Sequence, residues 1–223
     1  MAAFPESPLA PATFLEKWLP EAFAEAGPMP GSEEVDVKLG ICLEGEGGGE
    51  WVLHITSGQV AIQAAPREGA AFTFVQTVVD WRGALWEGQG GAIGKGASMF
   101  FRPDAMKEAA TGGESQLGGA PSPKALAEMQ QLSGLIRIVV TGETPWSVGF
   151  HLGPGSIPEE ATTTLSIAAE DAAAMAGGEL DPMTAFMSGK IQVLGDMTLM
   201  MQMQAIQMKV AQEEQQSGGG SGA

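Results

Sequence analysis

The residue types that could carry covalent chemistry are few in this chain, and their spacing suits none of it. Cys42 is the single cysteine, and His54 and His151 are the two histidines. A thiol nucleophile needs an activating base, and no motif surrounds Cys42. Both histidines fall inside alternating apolar stretches, so each reads as a half-exposed strand residue rather than a base. No Gly-x-Ser-x-Gly elbow is present. One cysteine and two distant histidines make a zinc site unexpected. Glu33, Glu34, Asp36, Glu159 and Glu160 lack the spacing of a calcium loop and read as solvated loop residues. Gly88–Gly96, GQGGAIGKG, has the look of a phosphate cradle. It fails the Walker pattern, which needs glycine where Gln89 stands and serine or threonine where Gly96 stands. It also fails the dinucleotide pattern, which needs glycine at Ile93. Glu170 and Asp171 read as a helix start. Trp81 and Trp86 could stack on a ring, but the core reading is preferred. These readings leave no catalytic residue, no metal ligand and no cofactor.

The chemistry the sequence does offer is apolar binding. After Asp196, methionines occupy positions 197, 200, 201, 203 and 208. Methionine is unbranched and polarizable, so a wall of it adapts to an irregular apolar ligand. At about 100° per residue, Met197, Met201 and Met208 share one side of this helix, with Ala205 nearby. Leu199, Met203, Ile206 and Val210 lie nearly opposite, with Thr198, Gln202 and Lys209 on one flank and Gln204 and Gln207 on the other. A surface helix needs one apolar stripe. A second implies something more to bury: a ligand, a partner unit or a second subunit.

Composition bounds the alternatives. The 223 residues fit one large domain or two small ones, and 44% hydrophobic content is enough for a core. The formal charge of −16 argues against nucleic acid, which demands a cationic footprint. It also disfavours docking on anionic membranes. The N-terminal MAAFPESPLAP has neither the basic region nor the apolar run of a secretory signal. No apolar run approaches the length of a membrane span.

Several elements must position these residues. Thr13–Ala26 reads as an amphipathic helix, with Thr13 and Glu16 as a capping box and Phe14, Leu15, Trp18, Leu19, Ala22 and Phe23 as its stripe. Val35, Val37, Leu39, Ile41 and Leu43 alternate as a half-buried strand does. Trp51, Leu53 and Ile55 follow, then Val60 and Ile62, then Phe72 and Phe74, then an Asp80–Glu87 helix. The order partly recurs: strands at Leu135–Val140, Trp146–Leu152 and Leu165–Ile167 precede an Asp171–Ala176 helix. Trp51 and Trp146 follow corresponding turns. Phe72–Asp80 and Thr163–Asp171 are each a strand running into an Asp-started helix. This is a degenerate internal repeat. Near the end, Asp181 and Pro182 start a short helix, Gly189 stops it, and Lys190–Leu194 forms a strand with Ile191 and Val193 on one face. Gly195 and Asp196 then turn the chain into the methionine helix.

This ordered string, GELDPMTAFMSGKIQVLGDMTLMMQM over Gly178–Met203, resembles the C-terminal signature of the type-2 sterol carrier protein family, the nonspecific lipid-transfer proteins. The resemblance is close over Leu165–Met208 and looser upstream. It implies an α+β fold, with antiparallel sheets and packed helices in tandem sterol-carrier-like units. Residues 1–111 are the degenerate copy, 112–122 the linker, 123–212 the lipid-binding unit and 213–223 a disordered tail. The first unit lacks a last strand and a closing helix, and serves as a partner or lid; alternatively both halves contribute strands to one large domain. The implied function is non-catalytic binding, with intracellular transfer, of a fatty acid, fatty acyl derivative or sterol-like molecule in an apolar tunnel. Its wall is assigned to Phe186, Met187, Leu194, Leu199, Met200, Met203 and Ile206. The Leu199, Met203 and Ile206 side would face the ligand, and the Met197 and Met201 side the sheet. The alternative is an interaction or accessory module of an enzyme complex that uses the same fold without lipid. Expected partners are a lipid or other hydrophobic small molecule, with room for a homodimer or protein partner, and no nucleic acid. The chain ends Ser-Gly-Ala rather than the peroxisomal Ser-Lys-Leu that eukaryotic relatives often carry, which favours a bacterial cytoplasmic protein.

Overall fold

The computed structural model describes residues 3–28, 32–110 and 123–218. Eight strands form one sheet: β1 (Asp36–Glu44), β2 (Gly49–Thr56), β3 (Gln59–Ala64), β4 (Phe72–Thr77), β5 (Gly134–Thr141), β6 (Trp146–Leu152), β7 (Thr163–Ala168) and β8 (Ile191–Gly195). Their spatial order is β3-β2-β1-β4-β6-β5-β7-β8. The protein is α+β, as expected, but the sheet is single and mixed rather than antiparallel. β1 and β4 run parallel, as do β5 and β7, and the remaining neighbours are antiparallel. The sheet passes from the N-terminal to the C-terminal strands at the β4–β6 ladder, where Phe72 pairs with Leu152 and Phe74 with Phe150.

Period-two alternation decides what each face carries. Val37, Leu39, Ile41 and Leu43 share one face with Trp51, Leu53 and Ile55 of β2 and with Phe72 and Phe74 of β4, and all are buried. α1 (Pro11–Thr13), a π-helical Phe14–Trp18 and α2 (Leu19–Ala26) form one continuous helical run; Phe14, Leu15, Leu19 and Phe23 enter the same core. The helix begins earlier than the sequence implies, with Pro11 in its first turn and Ala10 before it. Thr13 is therefore inside the helix and caps nothing. Glu16 instead accepts a hydrogen bond from Trp51 Nε1 at 2.9 Å. α3 (Val78–Trp86) is capped by Thr77, whose hydroxyl accepts from the Asp80 amide at 3.0 Å, rather than by Asp80. Trp81 is buried among Phe14, Trp86 and Phe101.

The glycine-rich 88–96 stretch is no open loop. Gly91–Ser98 is helical (α4), and its glycines permit close approach. A Cβ on Gly90 would lie 2.8 Å from the Trp146 ring, and one on Gly91 2.7 Å from the Ala172 backbone. α4 thereby packs on α7 (Ala169–Ala176) across the two halves. A 3₁₀ turn at Met99–Phe101 and α5 (Pro103–Ala110) follow, with Phe101 and Met106 buried over the N-terminal strands. α6 (Pro123–Glu128), absent from the sequence reading, precedes β5 and lies against both β1 and the last helix. α8 (Pro182–Met187) and α9 (Thr198–Gly218) flank β8. α9 is helical through Gly218, so residues 213–218 of the expected tail are ordered helix. Residues 219–223 of that tail, and residues 112–122 assigned as linker, lie outside the described residues.

Side chains reinforce the seam between the halves. Trp146 Nε1 donates to the Asp80 carbonyl at 2.8 Å, Gln76 Nε2 to the Ser147 carbonyl at 2.7 Å, and an Arg67 guanidinium nitrogen to the Gly155 carbonyl at 2.8 Å. Gly91 holds φ +56°, a backbone region costly for other residues. Replacing it with alanine adds that strain to a backbone clash, so Gly91→Ala should lower stability by about 2–4 kcal/mol. Denaturant unfolding measures this, and a loss below about 0.5 kcal/mol would show that the α4–α7 contact yields easily.

Candidate functional site

The segment from Asp181 to α9 is built by local signals. The Asp181 carboxylate accepts from the Thr184 amide at 2.9 Å and caps α8, which holds its pKa below the usual carboxylate range. Gly189 ends that helix at φ +75°. β8 then pairs with β7, so Ile191 lies beside Ile167 and Val193 beside Leu165. Asp196 accepts from the Thr198 amide at 2.8 Å, which likewise depresses its pKa. Lys190 pairs with Asp171, and Lys209 with Glu128 at 2.9 Å, tying the ends of the segment to α7 and α6.

Leu199 sets the rotation of α9. It is buried against Gly134 at the start of β5; a Cβ there would lie 2.7 Å from Leu199 Cδ2. The stripe that turns inward is therefore Leu199, Met203, Ile206 and Val210, with Met200 beside it; Leu199 and Val210 are buried and the others half-buried against the core. The opposite stripe faces solvent: Met197 is 42%, Met201 58% and Met208 56% exposed. The expectation that the Met197 and Met201 side packs on the sheet is thus corrected. Of the seven residues assigned to the ligand wall, Leu199, Met200, Met203 and Ile206 come together on the inner side of α9. Phe186, Met187 and Leu194 do not join them and are exposed. Leu194 alternates with Val193 on β8 and so points to the other face of the sheet.

The inner face of the C-terminal strands differs from that of the N-terminal ones. Register places Phe150 of β6, Ile138 of β5, Leu165 of β7 and Val193 of β8 on the face that carries the core. All four, and Ile191, are only half-buried, as are Val60 and Ile62 of β3, whereas Leu39, Ile41, Leu53, Phe72 and Phe74 are sealed, and so are Ile136, Val140, Val148 and Ile167 between them. The sequence reading assigned the wall to residues of the last two helices and to Leu194 of β8, and included in it none of these inner-face residues of β5 to β8. Their signal was the alternation of β5 to β8, which assigns them to the inner face.

Among the described residues no cluster of histidine, cysteine and carboxylates could hold a metal, and no helix is long and apolar enough to cross a membrane. Cys42 lies on the outer face of β1, where burial, then Glu50 and Glu44, push its thiol pKa up, making it a poorer nucleophile. His151 is buried on the outer face opposite Thr73, and neither its Nδ1 nor the Thr73 hydroxyl has a hydrogen-bond partner in the structure. Burial, then the nearby Arg67 charge, lowers the His151 pKa.

Fold and site together define an α+β domain whose inner sheet face is lined by apolar side chains and incompletely covered. Residues 115–208 match the SCP-2 sterol transfer family, and this part of the chain is a domain of that family. The family's general property is lipid binding and transfer. "Sterol carrier protein 2" of Oryctolagus cuniculus is 34% identical over 71 residues, and that of Rattus norvegicus 32% over 71 residues; each match covers 30% of this chain. The chain spans 13% of the length of these relatives. Among solved structures, sterol carrier protein 2 like 2 from Aedes aegypti is 22% identical with a TM-score of 0.24, covering 31% of this chain and 69% of its own. The sterol carrier protein domain 2 of Helicoverpa armigera is 26% identical with a TM-score of 0.25, covering 37% and 72%.

The histidine yields a pH prediction. Its folded pKa lies below the unfolded value, so on acidification the unfolded chain binds the proton first. Stability is then level above about pH 6.5 and falls as the pH drops below it toward the folded pKa. Asp181 and Asp196 titrate lower, below that window. Thermal midpoints of His151→Gln between about pH 6.5 and 5 should lose this decline, and an unchanged slope would show that His151 protonates freely in the fold.

Proposed function

We propose that the C-terminal half binds, and carries within the cytoplasm, a lipid such as a fatty acid, fatty acyl derivative or sterol-like molecule, held non-covalently between α9 and the inner face of β5, β6, β7 and β8. The observation that carries this reading is the half-burial of Ile138, Phe150, Leu165, Ile191 and Val193 on the inner sheet face and of Met200, Met203 and Ile206 on the inner stripe of α9, all packed against the one core. An apolar ligand there removes surface from water that the protein leaves partly wet. A palmitoyl chain has about 15 apolar carbon groups, and at about 0.8 kcal/mol each their burial offers at most about 12 kcal/mol. Association and ordering costs reduce this to an affinity in the micromolar range. The wall has no charged group to select a head group, so selectivity is loose. The mechanism is solubilisation, with no covalent step.

We read the N-terminal half as a second, degenerate copy. The pairing pattern supports this: β1 is antiparallel to β2 and parallel to β4, which runs into α3, just as β5 is antiparallel to β6 and parallel to β7, which runs into α7. Where the first copy would need a partner for β4 equivalent to β8, it has β6. Where the second would need one for β6 equivalent to β3, it has β4. The first copy is filled by its own helices and acts as a partner for the second. A second functional reading, an interaction module in a homodimer or larger complex, draws on the outward apolar residues Met183, Met187, Leu194 and Met201.

Two substitutions on one helix separate these readings. Met203→Asp places an unpaired charge in the inner wall, and should weaken uptake of a fluorescent fatty acid at least about tenfold. Met201→Asp, on the exposed stripe, should leave uptake within about twofold. Equal loss from both, or loss from Met201→Asp alone, would move the site to the outer stripe.

A further inference from the structure

The inner face of the sheet runs unbroken from β2 to β8, but one side chain divides it. Phe100, in the 3₁₀ turn between α4 and α5, stands over the seam where β4 meets β6. Its ring stacks on Phe72 at 5.7 Å and 17°, and lies 6.2 Å from Phe74 and 6.3 Å from Phe150. Phe74 and Phe150 are themselves cross-strand neighbours. Phe101, the next residue, is buried and fixed by Phe14, Phe74 and Trp81. The turn is therefore anchored through Phe101, while Phe100 remains only half-buried. On the N-terminal side of Phe100 is a cavity of about 20 Å³, walled by Leu39, Ile41, Leu53, Phe72, Phe101 and Met106. A space of that size holds about one water, and a lining this apolar leaves it dry. On the C-terminal side is Phe150, the first of the half-buried residues of the proposed lipid site.

We propose that Phe100 is the end wall of the lipid site and sets the longest acyl chain it accepts, the cavity behind it being an extension of the same apolar face. This rests on the lipid-binding reading above. The geometry makes Phe100 the divider: it touches an aromatic ring on each side of the seam, and it is itself one of the side chains that line the cavity. It has no polar group to satisfy, so trimming it orphans no hydrogen bond. Shortening the side chain joins the cavity to the site, and enlarging it pushes the wall toward Phe150.

The test is competition against a bound fluorescent fatty acid by saturated acids from lauric to behenic, with full-length protein. For the unaltered chain, affinity should rise with length and then stop. In Phe100→Ala the stop should move to longer acids, each further methylene buried adding about fourfold in affinity. In Phe100→Trp it should move to shorter ones. Circular dichroism and cooperative unfolding identify the folded variants, and Phe100→Leu replaces the alanine variant if that one does not fold. If the folded variants keep the limit of the unaltered chain, the end-wall role is overturned while lipid binding stands. If the unaltered chain takes up no acid of any length, both fall together.

Discussion

The β4–β6 ladder is the constraint on which the rest of the structure depends. Without it the chain would hold two short sheets, each with an unpaired strand at its inner edge, a template for unwanted pairing. With it, β4 is buried on both faces: Phe72 and Phe74 toward the helices, Thr73 and Val75 away from them. A strand covered on both sides belongs to the centre of a sheet. The Trp146–Asp80 and Gln76–Ser147 hydrogen bonds cross the same line, as does the close contact of Gly91 with Ala172. Such joins make the halves interdependent, so neither is expected to keep its structure when cut free.

One consequence is an asymmetry of covering. The helical run at residues 11–26, the Met99–Phe101 turn and α5 seal the inner face of β1, β2 and β4 with Phe14, Leu15, Leu19, Phe101 and Met106. The C-terminal strands meet α7, which packs on β5 and β7, and the inner stripe of α9, which is fully buried only at Leu199 and Val210. Between those anchors the contacts are made by Met200, Met203 and Ile206, and methionine tolerates an irregular partner. The half-covered face is the one to which the proposed apolar ligand is assigned.

Much of this was legible in the sequence because the signals are local. The strict alternation from Val37 to Leu43 placed β1 and its buried face. Asp181, Pro182, Gly189 and Asp196 placed the caps and stops around α8, β8 and α9. What was not legible depends on partners distant in the chain. β4 and β6 carry no mark that they pair, because a ladder between distant segments leaves no periodic trace. α4 was hidden because glycines are poor helix formers; packing against Trp146 and Ala172 overrides that tendency. Both stripes of α9 were visible, but which one turns inward is decided by Leu199 against Gly134, a contact no periodicity encodes. The wall was assigned to α8, α9 and Leu194, while the half-buried inner-face residues Ile138, Phe150, Leu165 and Val193 of β5 to β8 were not singled out for it.

The central claim is that one apolar site exists per chain, in the C-terminal half of a single continuous sheet. Native mass spectrometry of the full-length protein, purified without detergent and then titrated with palmitic acid, tests it most directly. The account predicts saturation at one molecule per chain, with the bound molecule displaced by lipid of another class. No adduct at any concentration would contradict it, because the half-covered face would then be filled by protein alone. Saturation at two per chain would contradict the sealed N-terminal half.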